Sequence, residues 1–167
     1  MDSIYQFSVT DIDGHLVDLN LYKGATLLIV NTASKKHNLK HLRQLQILQD
    51  RFGSDSFTIL AFPCRQFLKQ ESKQPEKIKT LYYHIENVTF PVFSLTEVNG
   101  PNAIDLYKWL KNRAPGKMSI DVEWNYTKFL IYPNGKTVLR LSSVETFQNV
   151  SQTIENVLVQ YIGSASH

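Results

Sequence analysis

The stretch that decides the fold is residues 25–40, "ATLLIVNTASKKHNLK". It opens on an unbroken apolar run of strand length, and such runs suit a strand covered on both faces. At Asn31 the run breaks into a loop dense with lysine. Leu39, Leu42, Leu45, Leu48 and Phe52 then recur every three or four residues and Gly53 follows, which is the stripe of an amphipathic helix with its stop signal. A second buried strand, "FTILAFP", starts at Phe57. Strand, helix, strand in this order predicts a β-α-β unit, whose chemistry belongs at the carboxyl ends of the strands. Those ends are "NTASKKHN" and "FPCRQF".

Working outward, Asp13-Gly14 separates two short alternating runs, residues 5–10 and 16–19, which predicts an N-terminal hairpin. Pro75 opens a short helix through residue 83, and Asn102 caps another that reaches about residue 111. "KFLIY" and "TVLRL" flank Pro133-Asn134-Gly135, a hairpin turn. Phe147, Val150, Ile154, Val157, Leu158 and Tyr161 predict a last amphipathic helix before the polar tail "GSASH". The expectation is one domain over residues 1–167, an α/β sandwich with a central mixed sheet flanked by helices and an N-terminal β-hairpin.

Composition narrows the function classes. A chain of 167 residues, 43% hydrophobic and 20% charged, has the make-up of an ordinary globular domain. A net charge of +3 is too small to imply nucleic acid. No window reaches the ~18 apolar residues of a membrane span, and the N-terminus lacks the basic and apolar regions of a signal peptide, so a cytoplasmic protein is expected. Cys64 is the only cysteine, which excludes an internal disulfide and a thiolate metal cage, and no metal is expected. The sequons at Asn87, Asn125 and Asn149 carry no weight in such a chain.

With "FPCRQF", "NVTFPVF", "VNGPNA" and "WNYTKFLI" in order, the chain resembles the glutathione peroxidase family, which has a thioredoxin-like fold. The resemblance covers residues 4–159. It implies hydroperoxide reduction by thiols, an oxidative-stress activity with glutathione as co-substrate. Family members carry Asn-Val-Ala-Ser-Lys, then a cysteine or selenocysteine, then glycine. Here Asn31, Thr32, Ala33, Ser34 and Lys35 are followed by Lys36 in the nucleophile's place and His37 in the glycine's. The rest of the family's catalytic tetrad falls on Gln66, Trp124 and Asn125. Its resolving cysteine would lie near Tyr82, and its glycines after "NQF" are replaced by Leu68 and Lys69.

Peroxide reduction needs a soft anion to attack the O–O bond and an oxidised sulfur or selenium that thiols reduce again. An ammonium has no free lone pair, and an amine that did attack would give an N-oxidised product that glutathione does not return to amine. The expectation is a pseudoenzyme acting through binding. Cys64 is the alternative nucleophile for a residual thiol-dependent peroxidase, against the plain reading of a packed cysteine. Gln66, Trp124 and Asn125 have two readings: donors aimed at a common point, or a core tryptophan with two amides that satisfy loop backbone. Lys35, Lys36, His37 and Lys40, with His41 and Arg43, form a basic cluster at a helix start. It is either an anion site for a hydroperoxide, a small anion or a lipid headgroup, or a solvated face. Tetrameric relatives carry a long insertion before Trp-Asn, whereas only "NRAPGKMSIDVE" precedes Trp124, so a monomer is expected.

Overall fold

The computed structural model describes the backbone of residues 2–165 and side chains as far as Tyr161. β1 (Ser8–Thr10) and β2 (Leu16–Asp18) form the expected antiparallel hairpin, with Val9 opposite Val17. β3 (Thr26–Thr32) is buried at every position. Its side chains alternate between two apolar layers, Leu28 and Val30 in one, Leu27 and Ile29 in the other, which is why the run is apolar without a break.

β4 (Phe57–Pro63) lies parallel to β3, with Thr32 opposite Pro63. β5 (Lys128–Ile131) is antiparallel on the other side of β3, and β6 (Val138–Leu141) pairs antiparallel with β5. The mixed sheet therefore has the order β4-β3-β5-β6. α1 (Leu39–Phe52) and α4 (Phe147–Ala165) cover one face through Leu42, Leu45, Leu48, Val150, Ile154 and Val157. Each fully buried leucine among them contributes roughly 1.5–3 kcal/mol. α3 (Asp105–Arg113) covers the opposite face through Leu106, Tyr107 and Leu110, beside Val9 of the hairpin.

Three boundaries differ from expectation, and a fourth holds for a different reason. α2 (Pro75–Lys79) does not end at residue 83 but continues into a π-helical turn, Thr80–Ile85. Asn102 is not a cap: it lies in a turn, and α3 starts after Ile104 with no side-chain cap, its first turn relying on the acidic Asp105. Gly53 does end α1, but with φ −59°; it is needed because a Cβ there would meet the Gln49 carbonyl oxygen at 2.4 Å. α4 runs on through Ala165, into the predicted tail, whose last two residues lie outside those described. Among the described residues no helix is long and apolar enough to cross a membrane.

Candidate active site

Because β3 and β4 are parallel neighbours, the loops that leave them start side by side. A third segment joins them just before β5. Tyr126 donates its backbone N–H to the Asn31 carbonyl at 2.8 Å and its hydroxyl to the Ala33 carbonyl at 2.6 Å. Asn31 Nδ2 donates in turn to the Trp124 carbonyl at 3.1 Å. The 33–38, 64–72 and 124–127 segments thus meet at one end of the sheet.

Gln70 is the joint between them. Its carbonyl accepts from the backbone N–H groups of Ser34 (3.1 Å) and Lys35 (2.9 Å). Its side-chain Oε1 accepts from Asn38 Nδ2 (2.8 Å) and Asn125 Nδ2 (3.0 Å), while Asn38 also donates to the Lys35 carbonyl. Beside it Glu71, fully buried, accepts from the Ser34 hydroxyl, the Tyr82 hydroxyl and the Ser72 N–H. The Tyr82 oxygen also lies 2.8 Å from Thr32 Oγ1. A phenol has one proton; since Tyr82 gives its proton to Glu71, Thr32 is the donor to Tyr82. Burial pushes the Glu71 carboxyl above its ordinary range, against the opposing pull of Ser34, Tyr82, Ser72 and the Lys35 charge.

Lys36 is exposed in this loop and takes a left-handed conformation, φ +63°, that side chains other than glycine rarely adopt. Lys35, His37 and Lys40 are exposed around it. None of the four enters an ion pair among the described residues. Arg43 leaves the cluster, however, because Glu86 takes its guanidinium at 2.7 and 3.2 Å. The amides of Ser34 and Lys35 are likewise occupied by Gln70, so the loop has fewer free donors than its sequence implies.

The tetrad positions divide. Asn125 is buried, held by Gln70, and its Oδ1 has no partner among the described residues. Gln66 bonds a different segment: Oε1 accepts from the N–H groups of Val98 (2.7 Å) and Asn99 (3.0 Å), and Nε2 donates to the Asn99 carbonyl at 2.8 Å. Trp124 is not the core residue of one reading. It is 39% exposed, with its ring tilted against Phe67 at a centroid separation of 5.8 Å. Cys64 is fully buried, its thiol 3.8 Å from Gln66 Oε1, and burial pushes that thiol up to about 11. At neutral pH about one molecule in ten thousand would carry the thiolate. Leu68 and Lys69 keep left-handed backbones, φ +56° and +53°, at positions suited to glycine. Gln70 and Glu71 escaped the sequence reading, which met Tyr82 only as the place nearest the family's resolving cysteine; nothing local in "KQES" marks Glu71 as buried.

A parallel strand pair flanked by helices, with polar loops converging at its carboxyl end, is the architecture of thioredoxin-fold proteins, and solved structures agree. The chain superposes on the thioredoxin-family thiol:disulfide interchange protein from Chlorobium tepidum with a TM-score of 0.67 at 16% identity, over 91% of this chain and 92% of that one. It matches the crystal structure of Trgpx in apo form with a TM-score of 0.75 at 35% identity, covering 93% of this chain and 94% of the other. The sequence profile described as Glutathione peroxidase matches residues 4–111. The hydroperoxy fatty acid reductase gpx1 of Synechocystis sp. is 42% identical over 164 residues, 94% of this chain and 96% of that protein. The phospholipid hydroperoxide glutathione peroxidase of Sapajus apella is 40% identical over 162 residues, 95% of this chain and 80% of that protein. The chain belongs to the glutathione peroxidase family.

Proposed function

We propose that this protein binds anionic, hydroperoxide-bearing or related lipid ligands at the β3–α1 loop without the covalent turnover of its family. The observation that carries this reading is Lys36, exposed at the head of the loop where the family's nucleophile would stand. No sulfur or selenium is available there to be oxidised and then reduced by glutathione. Lys35, His37 and Lys40 supply charge and donors for a carboxylate or phosphate, and the exposed Leu68 and Trp124 supply apolar surface. Relatives named for hydroperoxy fatty acids and phospholipid hydroperoxides point to the same ligand class. Cys64 is a poor substitute nucleophile, because reactive thiols need exposure and a depressed pKa. A monomeric, cytoplasmic protein completes the proposal, the first part checked by light scattering.

Two measurements test it together. A coupled assay with hydrogen peroxide or an organic hydroperoxide and with glutathione or thioredoxin should give no turnover above buffer. Turnover that vanishes in Cys64→Ser would overturn the reading. Titration with phosphate or anionic vesicles should shift the amides of residues 34–40, weaken with salt, and fade in Lys36→Ala/Lys40→Ala. Amides that do not move in the wild-type protein would reduce the cluster to a solvated face.

A further inference from the structure

We propose that Glu71 is the positioning residue of this site: its carboxylate holds the 34–38 loop, and with it residue 36, and ties that loop to the π turn through Tyr82. This rests on the reading that the loop bearing Lys36 is the functional site.

Glu71 is 0% exposed and accepts from two donors on separate pieces of chain, the Ser34 and Tyr82 hydroxyls, and from the N–H of its neighbour Ser72. Its neighbour Gln70 bonds the Ser34 and Lys35 amides through its carbonyl. Residues 70 and 71 therefore grip the loop twice, once by backbone and once by side chain, immediately before Lys36. Arg65 Nε donates to the Glu71 carbonyl at 3.0 Å and fixes the grip from the β4 side. The groups that face this carboxylate are Ser34 and Lys35 from the β3–α1 loop, Ser72 from its own segment, Tyr82 from the π turn, and Tyr126 from the β5 approach. No cation lies within ion-pair distance of it among the described residues.

A buried, unpaired carboxylate is an expensive way to join two hydroxyls, since a neutral side chain could do it. Its raised pKa makes the sign explicit. The native state binds the proton more tightly than the unfolded chain, so stability declines as pH rises from the ordinary glutamate value through the raised one. The charge therefore works against the fold while orienting both hydroxyls toward one point. Protonation changes that pattern, because the oxygen that takes the proton becomes a donor and a weaker acceptor. The Ser34 or Tyr82 hydroxyl that meets the new proton redirects its own, which changes the hydrogen bonding that holds the loop.

The test is a pH titration of the wild-type protein followed by amide NMR, with no ligand present, so it stands apart from the binding reading. The expected result is that the Ser34, Lys35 and Lys36 amides shift together with a midpoint above that of an ordinary glutamate. The same step should disappear in Glu71→Gln, which keeps the side-chain shape and one acceptor oxygen but cannot titrate. The His41 imidazole, whose pKa burial lowers, is followed by its own ring resonances so that its step is told apart. Should Glu71→Gln not fold, Tyr82→Phe serves instead: it removes a donor that favours the carboxylate, so the midpoint should move upward. Flat amides over residues 34–38, a step that persists in Glu71→Gln, or a midpoint unmoved by Tyr82→Phe would each overturn the assignment.

Discussion

Gln66 and Asn99 exchange two hydrogen bonds, Nε2 to the Asn99 carbonyl at 2.8 Å and the Asn99 N–H to Oε1 at 3.0 Å. The Gln66 side chain thus acts as an extra rung that anchors the 97–99 segment. Asn99 passes the anchorage on, since its side chain bonds the N–H and carbonyl of Val122, two residues before Trp124.

Gln66→Ala should therefore lower stability. It leaves the Val98 and Asn99 N–H groups without their acceptor, and orphaned donors of this kind cost about 1–3 kcal/mol. Urea denaturation reads this directly. A change below about 0.5 kcal/mol would mean that water replaces the amide and that Gln66 is free for other work.

Leu68 and Lys69 point the other way. Both are exposed, so little packing is lost by truncation, and both hold left-handed backbones that disfavour a Cβ by about 1–2 kcal/mol. Leu68→Gly and Lys69→Gly should each be neutral or stabilising, by up to ~1 kcal/mol once glycine's greater unfolded-state freedom is counted. Denaturation midpoints that fall in both variants would show that the side chains, not the backbone, set the shape of this rim.

Lys36→Cys should give the protein measurable peroxidase turnover. A thiolate near the start of α1 has favourable electrostatics, with Lys35 and Lys40 on either side, and Asn125 is already buried beside the loop. Since Tyr82 is fully buried where a resolving cysteine would be needed, glutathione rather than thioredoxin should sustain turnover. A folded variant whose thiol ignores peroxide would show that the site has diverged beyond one residue.

Lys128 carries a pH prediction. Its side chain is buried at the foot of β5, with its ammonium donating to the Tyr126 carbonyl at 2.8 Å, and desolvation brings its pKa down to about 8. The unfolded chain then binds more protons above pH ~8, so this residue's penalty is relieved as pH rises from about 8 toward 10. The full difference is on the order of 3 kcal/mol at 1.36 kcal/mol per unit. Comparing wild type with Lys128→Met isolates it, because Cys64 and the buried tyrosines titrate in both. The wild type should gain on the variant between pH 7 and 9.5, and parallel stability curves would refute the shift.

The sequence by itself determined the frame of this protein. β3 and β4 were legible as apolar runs, α1 and α4 as stripes of period 3.6, and both hairpins from Asp13-Gly14 and Pro133-Asn134-Gly135, because each signal lies within a few residues of the backbone it shapes. The identity of residue 36 was legible too. What surrounds it was decided by tertiary structure alone. Arg43 is neutralised by Glu86, 43 positions away, and Gln66 is occupied by a segment more than 30 positions on. Glu71 looks like one solvated charge among several until Ser34 and Tyr82 close over it from two directions. Local periodicity records which face of an element is apolar; it carries no information on which polar atoms will share a buried space. That is set when the sheet brings the loops of β3, β4 and β5 to one end and the desolvated groups there must find partners among themselves.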